Sequence, residues 1–276
     1  MTTLYSSVIK LHALHAGQLS RDPGQWANAA FYGILHQVDP NLAEALHQWN
    51  GRKPFTVSTL AGLPHGNSDT VELRPGAECW LRVTTLHEEI FQTFIQRFLQ
   101  GGMRPKVQLG PLTFGVSEVL TTPGAHPWSG FIEASDLLAA AKPTGRLTLE
   151  FVSPTAFNLG TVPGSGLHYA LFPQPALVFG SSLAAVWRDF IAPDFDRSYL
   201  EDMATEARVS DYRLQTQTLK WKGRVQKGFT GRCTYDLRPL AAGDQCLLAA
   251  LAGLAFFAGV GGKTTQGMGQ CRRVVS

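Results

Sequence analysis

The sequence predicts an α+β protein of two tandem ferredoxin-like domains with a glycine-rich loop near the C-terminus. Three observations lead to this fold class. The length of 276 residues suits two modest domains, and 44% hydrophobic residues are enough for two cores. The order strand, helix, strand, strand, helix, strand occurs in each half of the chain. We expect an N-terminal domain over residues 1–142 and a C-terminal domain over residues 143–276.

The periodicity of apolar residues gives the elements of the first half. A period of two favours a strand over residues 4–14, and apolar residues at i and i+4 favour a helix over residues 25–38, entered through a turn at Asp22-Pro23-Gly24. The remaining expected elements are a short helix at 41–49, strands at 55–60 and 79–86, an amphipathic helix at 88–99 closed by Gly101-Gly102, and one or two strands at 107–119.

The second half repeats this order after a polar turn at residues 142–145. We expect a strand at 146–152, a helix at 182–192, paired strands at 213–221 and 225–237, a long apolar helix at 243–258 and a closing strand at 269–275. The apolar run 246–262 is shorter than the roughly 20 residues of a membrane span. It predicts a buried helix and no association with a membrane.

Composition and cysteine spacing limit the class of protein. Charged residues are only 16% of the chain, which disfavours a coiled coil, and the net charge of +3 permits an anionic partner without requiring one. The four cysteines, Cys79, Cys233, Cys246 and Cys271, form no CxxC pair and no zinc-binding spacing. With no N-terminal signal peptide in the sequence, we expect a reduced, cytoplasmic protein.

The C-terminal loop is rich in glycine. Five glycines surround Lys263, Thr264 and Thr265: Gly259, Gly261, Gly262, Gly267 and Gly269. Glycine lets backbone N–H groups turn toward an anion. The loop follows a helix and opens a strand, which disfavours a dinucleotide or P-loop site. A flexible hairpin or a helix C-cap is the alternative interpretation.

A basic tract precedes that loop. Between residues 212 and 235 there is no Asp or Glu, and the cations are Arg213, Lys220, Lys222, Arg224, Lys227 and Arg232. Such a tract suits a phosphate backbone. A solvated sheet face is the alternative.

The first helical region contains side chains suited to proton transfer. Tyr32 and His36 are i, i+4 neighbours, His47 lies on the next helix, and Lys53 follows six residues later. Histidine exchanges a proton near neutral pH, and lysine can stabilise charge developing on a phosphate. This set is suited to cleaving RNA through its 2′-hydroxyl. For any one histidine taken alone, a helix-surface position is the alternative.

Along nearly its whole length the chain resembles the Cas6 family of CRISPR-associated endoribonucleases. The matching stretches are AAFYGIL (29–35), LH (46–47), KPFTVS (53–58), FVSPTAF (151–157), LFPQPAL (171–177), KGFTGRCTY (227–235) and GVGGKTTQGMG (259–269). The last two, in this order at the end of the chain, are the most specific.

The resemblance implies an enzyme that cuts precursor CRISPR RNA within its repeats to mature guide RNAs. The reaction needs neither metal nor cofactor and leaves a 2′,3′-cyclic phosphate and a 5′-hydroxyl. The Tyr/His/Lys set of the family corresponds to Tyr32, His47 and Lys53, in the N-terminal domain. His36 is additional, and whether it replaces Tyr32 or pairs with His47 is open.

Repeat RNA is the expected partner, with other Cas proteins and a second copy of the chain as further candidates. The residues expected to bind RNA are Lys220, Lys222, Arg224, Lys227, Arg232, Gly259, Gly261, Gly262, Lys263, Thr264, Gly267 and Gly269. The main rival function is a non-catalytic subunit that retains repeat RNA in an interference complex. A metal-dependent phosphoesterase is a weaker rival, because the carboxylates form no metal-binding motif.

Overall fold

The computed structural model describes the chain except residues 1, 65, 67, 100–104, 163, 165, 222–223 and 275–276; for residues 162, 197, 220, 221 and 224 it describes the backbone alone. The chain divides into two compact units. The N-terminal unit comprises Thr3–Ile132 and Thr265–Gly267, and the C-terminal unit comprises Met1–Thr2, Glu133–Thr264 and Met268–Ser276. The boundary after residue 142 stays a prediction.

The N-terminal unit contains a ferredoxin-like sheet. Its elements are β1 (Thr3–Ala13), β2 (Gly17–Ser20), α1 (Gly24–His36), α2 (Pro40–Gln48), β3 (Phe55–Val57), β4 (Thr70–Leu73), β5 (Glu78–Thr85), α3 (Glu88–Leu99), β6 (Lys106–Leu109), β7 (Leu112–Leu120) and β8 (Gly130–Glu133, whose last residue belongs to the other unit). The main sheet has the order β3-β5-β1-β7-β6, with β8 also pairing β1, and β2 pairs β4 separately. The order β3-β5-β1-β7 is that of the βαββαβ motif.

Local sequence fixes the two helices that precede β3. Phe31 of α1 is fully buried against Phe55 and Phe94, which anchors that helix to the sheet. The α2 helix begins at Pro40, whose missing N–H costs nothing at the first helical position. The carboxylate of Asp39 accepts from the Leu42 N–H at 3.0 Å and caps the helix. The short α2 is therefore fixed at its start.

The C-terminal unit repeats the motif. Its elements are α4 (Ala134–Ala139), β9 (Arg146–Thr155), β10 (Phe157–Val162), β11 (Gly166–Ala170), a π-helical segment (Ala176–Ala184) continued by α5 (Ala185–Phe190), α6 (Arg197–Glu206), β12 (Arg208–Trp221), β13 (Arg224–Asp236), α7 (Ala242–Ala258), a 3-10 turn (Thr264–Gln266, whose first residue alone belongs to this unit) and β14 (Cys271–Val274). The sheet order is β12-β13-β9-β14, and β10 pairs β11. The predicted fold class of two ferredoxin-like domains is confirmed.

Several elements have limits in the structure that differ from the predicted ones. The helix predicted from residue 182 begins at Ala176, because a π-helical segment precedes it. The apolar run after residue 246 forms α7, which is buried along most of its length. No described helix is long and apolar enough to cross a membrane. The predicted helix stop at Gly101-Gly102 lies outside the described residues.

Candidate functional site

Tyr32 and His47 lie together in the N-terminal unit. Their ring centroids are 5.5 Å apart with the planes at 74°, an edge-to-face contact between α1 and α2. The Tyr32 hydroxyl donates to the Leu46 carbonyl at 3.2 Å. Burial raises the pKa of Tyr32, so the phenol keeps its proton and remains a donor. The imidazole of His47 stays exposed at the last turn of α2.

Lys53 binds the C-terminal end of α2. Its Nζ donates to the carbonyls of Leu46 at 2.5 Å, His47 at 3.1 Å and Trp49 at 2.6 Å. The last carbonyls of a helix have no partner within the helix and carry the negative end of its dipole, so an ammonium group stabilises them. Burial lowers the pKa of Lys53. The structure therefore brings Tyr32, His47 and Lys53 together, with two of them holding the end of the helix that carries the third.

His36 is exposed and is the last residue of α1. In the described part of the chain it makes no hydrogen bond or ring contact with Tyr32, His47 or Lys53. It lies one helical turn beyond Tyr32 on the same helix. Its imidazole is therefore accessible but is not held by the cluster.

The basic tract forms the long hairpin of β12 and β13. Arg213 faces Arg232 in register, Arg232 faces Glu150 on β9, and Arg272 on β14 also faces Glu150, which makes one row across four strands. Lys227 is exposed on β13. Lys222 lies outside the described residues, as do the side chains of Lys220 and Arg224.

Glu150 binds both of its arginine neighbours. Arg232 donates through Nε and Nη2 to Oε1 at 2.9 and 2.7 Å, and Arg272 donates through Nε and Nη2 to Oε2 at 2.8 and 2.6 Å. Burial by itself would raise the pKa of Glu150, but the hydrogen bonds and charges of the two arginines outweigh it and hold that pKa below its ordinary value. No pattern in the sequence indicates this cluster, because its members are adjacent only across strands.

The glycine loop uses its backbone N–H groups within the protein. The donors are Gly259, Gly261, Gly262, Gly267 and Gly269, and their acceptors, in the same order and at 2.9–3.0 Å, are Ala255 O, Ser182 Oγ, Ala156 O, Val57 O and Pro154 O. These five amides already have acceptors, so the expected use of them as an anion-binding concavity is not supported by their hydrogen bonds. Their assignment to RNA binding stays a prediction.

Lys263 and Thr264 are the polar residues of the loop that were expected to bind RNA through their side chains. Lys263 is exposed with φ of 59°, a conformation uncommon outside glycine, and its Nζ contacts Gln226 Oε1 at 3.2 Å. Thr264 is half-buried, and its methyl group lies against the backbone of Gly259 and Gly269. Of the two, Lys263 is the residue that presents a cation to solvent.

No group of three or more His, Cys, Asp or Glu side chains that could hold a metal ion is found among the described residues. All four cysteines are free thiols.

The two βαββαβ sheets and the exposed histidine at the end of α2 define a tandem ferredoxin-like protein with a candidate proton-transfer group. The family model described as CRISPR-associated endoribonuclease Cas6 matches residues 149–271, and that of the Cas6 N-terminal domain matches residues 4–139. The chain belongs to the Cas6 family. No curated protein matches it.

Solved Cas6 structures match the chain over its full length. A product complex of Cas6 from Thermus thermophilus is 29% identical with a TM-score of 0.82, covering 99% of this chain and 100% of that one. A product complex of another Cas6 protein is 28% identical with a TM-score of 0.77, covering 99% and 100%. A complex of that second protein with a substrate mimic is 28% identical with a TM-score of 0.72, covering 99% of each chain.

Proposed function

We propose that this protein is a metal-independent endoribonuclease that cleaves precursor CRISPR RNA within its repeats, leaving a 2′,3′-cyclic phosphate and a 5′-hydroxyl, to mature guide RNAs. The main supporting observation is the exposed imidazole of His47 on a helix end held by Tyr32 and Lys53. Similar Cas6 structures include product complexes and a variant in which a histidine is replaced by alanine.

The proposed reaction forms one P–O bond and breaks another. The ribose 2′-oxygen attacks the adjacent phosphorus as its proton leaves, and the bond to the 5′-oxygen breaks as that oxygen gains a proton. The imidazole of His47 takes the first proton or supplies the second. A second residue must carry out the proton transfer that His47 does not. Burial raises the pKa of Tyr32 and makes its phenol a poorer acid, so His36 is the residue to test for this role.

Lys53 is assigned here to positioning. Its three donors all bind backbone carbonyls of the α2 end. Contact with the pentacoordinate phosphate, the role that the chemistry of lysine predicts, would require Lys53 to leave these carbonyls. Its charge nevertheless adds to the positive potential around His47.

Single-turnover cleavage of a repeat RNA tests the assignment of His47. We expect His47→Ala to cleave about 10²–10⁴ times more slowly, while RNA affinity changes little because phosphate contacts elsewhere dominate it. His36→Ala is measured beside it, and His87→Ala, an exposed histidine of the same unit, serves as the matched control and should cleave as the unmodified protein does. Cleavage by His47→Ala at the unmodified rate would remove His47 from the mechanism.

The chemistry has its own test. An RNA with one 2′-deoxy nucleotide upstream of the cut should bind but stay intact, and cleavage of the unmodified RNA should persist in EDTA. Cleavage of the deoxy RNA would contradict attack by the 2′-hydroxyl. Tight binding of repeat RNA with no cleavage by the pure protein would select the alternative function, a non-catalytic subunit that retains the RNA.

A further inference from the structure

The indole of Trp49 is unusually exposed for its size. The residue is 49% exposed, whereas Trp128 and Trp187 are buried. Trp26 and Trp80, the other tryptophans whose side chains are described, are partly buried. Exposed tryptophans are uncommon on protein surfaces and are enriched where another molecule binds.

The fold does not require an indole at this position. Trp49 follows the last residue of α2, and what Lys53 binds is its backbone carbonyl, at 2.6 Å, which any residue would provide. Beyond it the chain turns through Gly51, with φ of 127°, and a Cβ at Gly51 would lie 3.7 Å from the indole nitrogen. The backbone of Trp49 is thus held by Lys53 while the residue remains exposed.

The surroundings of the ring suit nucleic acid. Trp49 is two residues from His47, so their Cα atoms are at most about 7 Å apart. Residues 45–53 contain no Asp or Glu, and Arg52 and Lys53 follow the tryptophan. An exposed aromatic ring in a stretch of positive net charge is suited to stacking an unpaired base, because the positive potential favours the negatively charged strand.

We propose that Trp49 is a base-binding residue, on which the base of a nucleotide flanking the scissile phosphate stacks. This inference rests on the proposed function, because it places the reacting phosphate beside His47. Stacking there would fix the ribose and its phosphate next to the imidazole, since the helix end that carries both residues is held by Lys53.

A double-mutant cycle between protein and RNA tests the stacking. After the cut is mapped with the unmodified protein, an abasic ribose that keeps its 2′-hydroxyl replaces each flanking nucleotide in turn. On intact RNA, Trp49→Ala should raise the protein concentration that gives half of the maximal single-turnover rate by about 5- to 150-fold. Trp49→Phe should raise it much less. An abasic ribose at one of the two flanking positions should raise the half-saturating protein concentration by as much as Trp49→Ala does. With that abasic RNA, Trp49→Ala should raise it no further.

The controls separate this inference from the proposed function. Phe131→Ala, a 52% exposed aromatic of the same unit, should leave half-saturation unchanged. Thermal unfolding checks that Trp49→Ala still folds, and Trp49→Phe stays informative if it does not. Absence of cleavage by the unmodified protein would refute the proposed function. Two results would overturn the stacking while leaving the proposed function in place. Trp49→Ala could have no effect on cleavage, or the effects of Trp49→Ala and of the abasic ribose could be additive at both flanking positions.

Discussion

Lys53 has three ammonium hydrogens and three backbone carbonyls within reach of them. If Lys53 holds the end of α2, a positive charge alone does not replace it. The three carbonyls converge on one ammonium nitrogen, whereas the donors of an arginine are spread over a planar guanidinium and do not match that geometry. We expect Lys53→Arg and Lys53→Met to lower the free energy of unfolding alike, by about 1–2 kcal/mol. Displacing His47 by about 1 Å should slow cleavage by about 10²-fold in both.

Denaturant unfolding and single-turnover cleavage of the two Lys53 variants measure these effects. The informative comparison is between arginine and methionine. Full activity of Lys53→Arg beside an inactive Lys53→Met would show that the charge acts on the RNA and that the hydrogen bonds to the carbonyls are secondary.

The residues of the candidate site could be found from the sequence only in part. Tyr32, His47 and Lys53 are identified by residue type and by family resemblance, and the structure places them together. What Lys53 binds could not be predicted, because hydrogen bonds to backbone carbonyls leave no trace in residue identity. Trp49, which we propose binds a base, has no sequence signal of its own for a related reason: one tryptophan makes no periodic pattern, and only its place in the polar stretch 47–53 points to it.

Among the elements, the sheet of the C-terminal unit depends on Glu150. Its pKa is held low in the folded state, so its ion pairs stabilise the fold fully above the unfolded pKa, about 4.3, and are lost as the pH falls through the folded pKa. Glu150→Gln should lower the free energy of unfolding by about 1–2 kcal/mol at pH 7, and progressively less below a pH of about 4. This figure already allows for the solvent exposure of the two arginines.

Denaturant unfolding from pH 7 to pH 3 measures that difference. Glu118→Gln is the matched control, because Glu118 pairs with Lys10 at 2.7 Å but is 50% exposed, against 16% for Glu150. It should cost less than about 0.5 kcal/mol. An equal cost of Glu150→Gln at pH 3 and pH 7 would show that the ion pairs do not stabilise the sheet.

The long elements were predicted well because each carries its own apolar periodicity over many residues, as β1 and α3 do. The short pair β2 and β4 was missed because strands of four residues are too short for a pattern to emerge. The β10–β11 hairpin was missed for another reason: β11 is largely exposed and so needs no alternation of apolar residues.

At the scale of the whole molecule, the net charge of +3 is too small for a general attraction to RNA. Several cations are already paired with carboxylates, among them Arg232 with Glu150 and Arg238 with Asp236. Affinity for RNA should therefore come from particular cations that lack such a partner. Lys227 is one of them, since no carboxylate pairs with it in the described part of the chain.

The salt dependence of RNA binding tests this distribution of charge. Each phosphate contact contributes about 0.7–0.9 to the slope of log affinity against log salt. Lys227→Ala should therefore weaken binding at low salt and flatten that slope by nearly one. Arg238→Ala, on the same unit but held by Asp236 at 2.7 Å, should leave the slope unchanged. Fluorescence anisotropy with the 2′-deoxy RNA gives both slopes without cleavage. Equal slopes for Lys227→Ala and the unmodified protein would place the phosphate backbone away from this face of β13. A flatter slope with Arg238→Ala would show that pairing with a carboxylate does not decide which cations bind RNA.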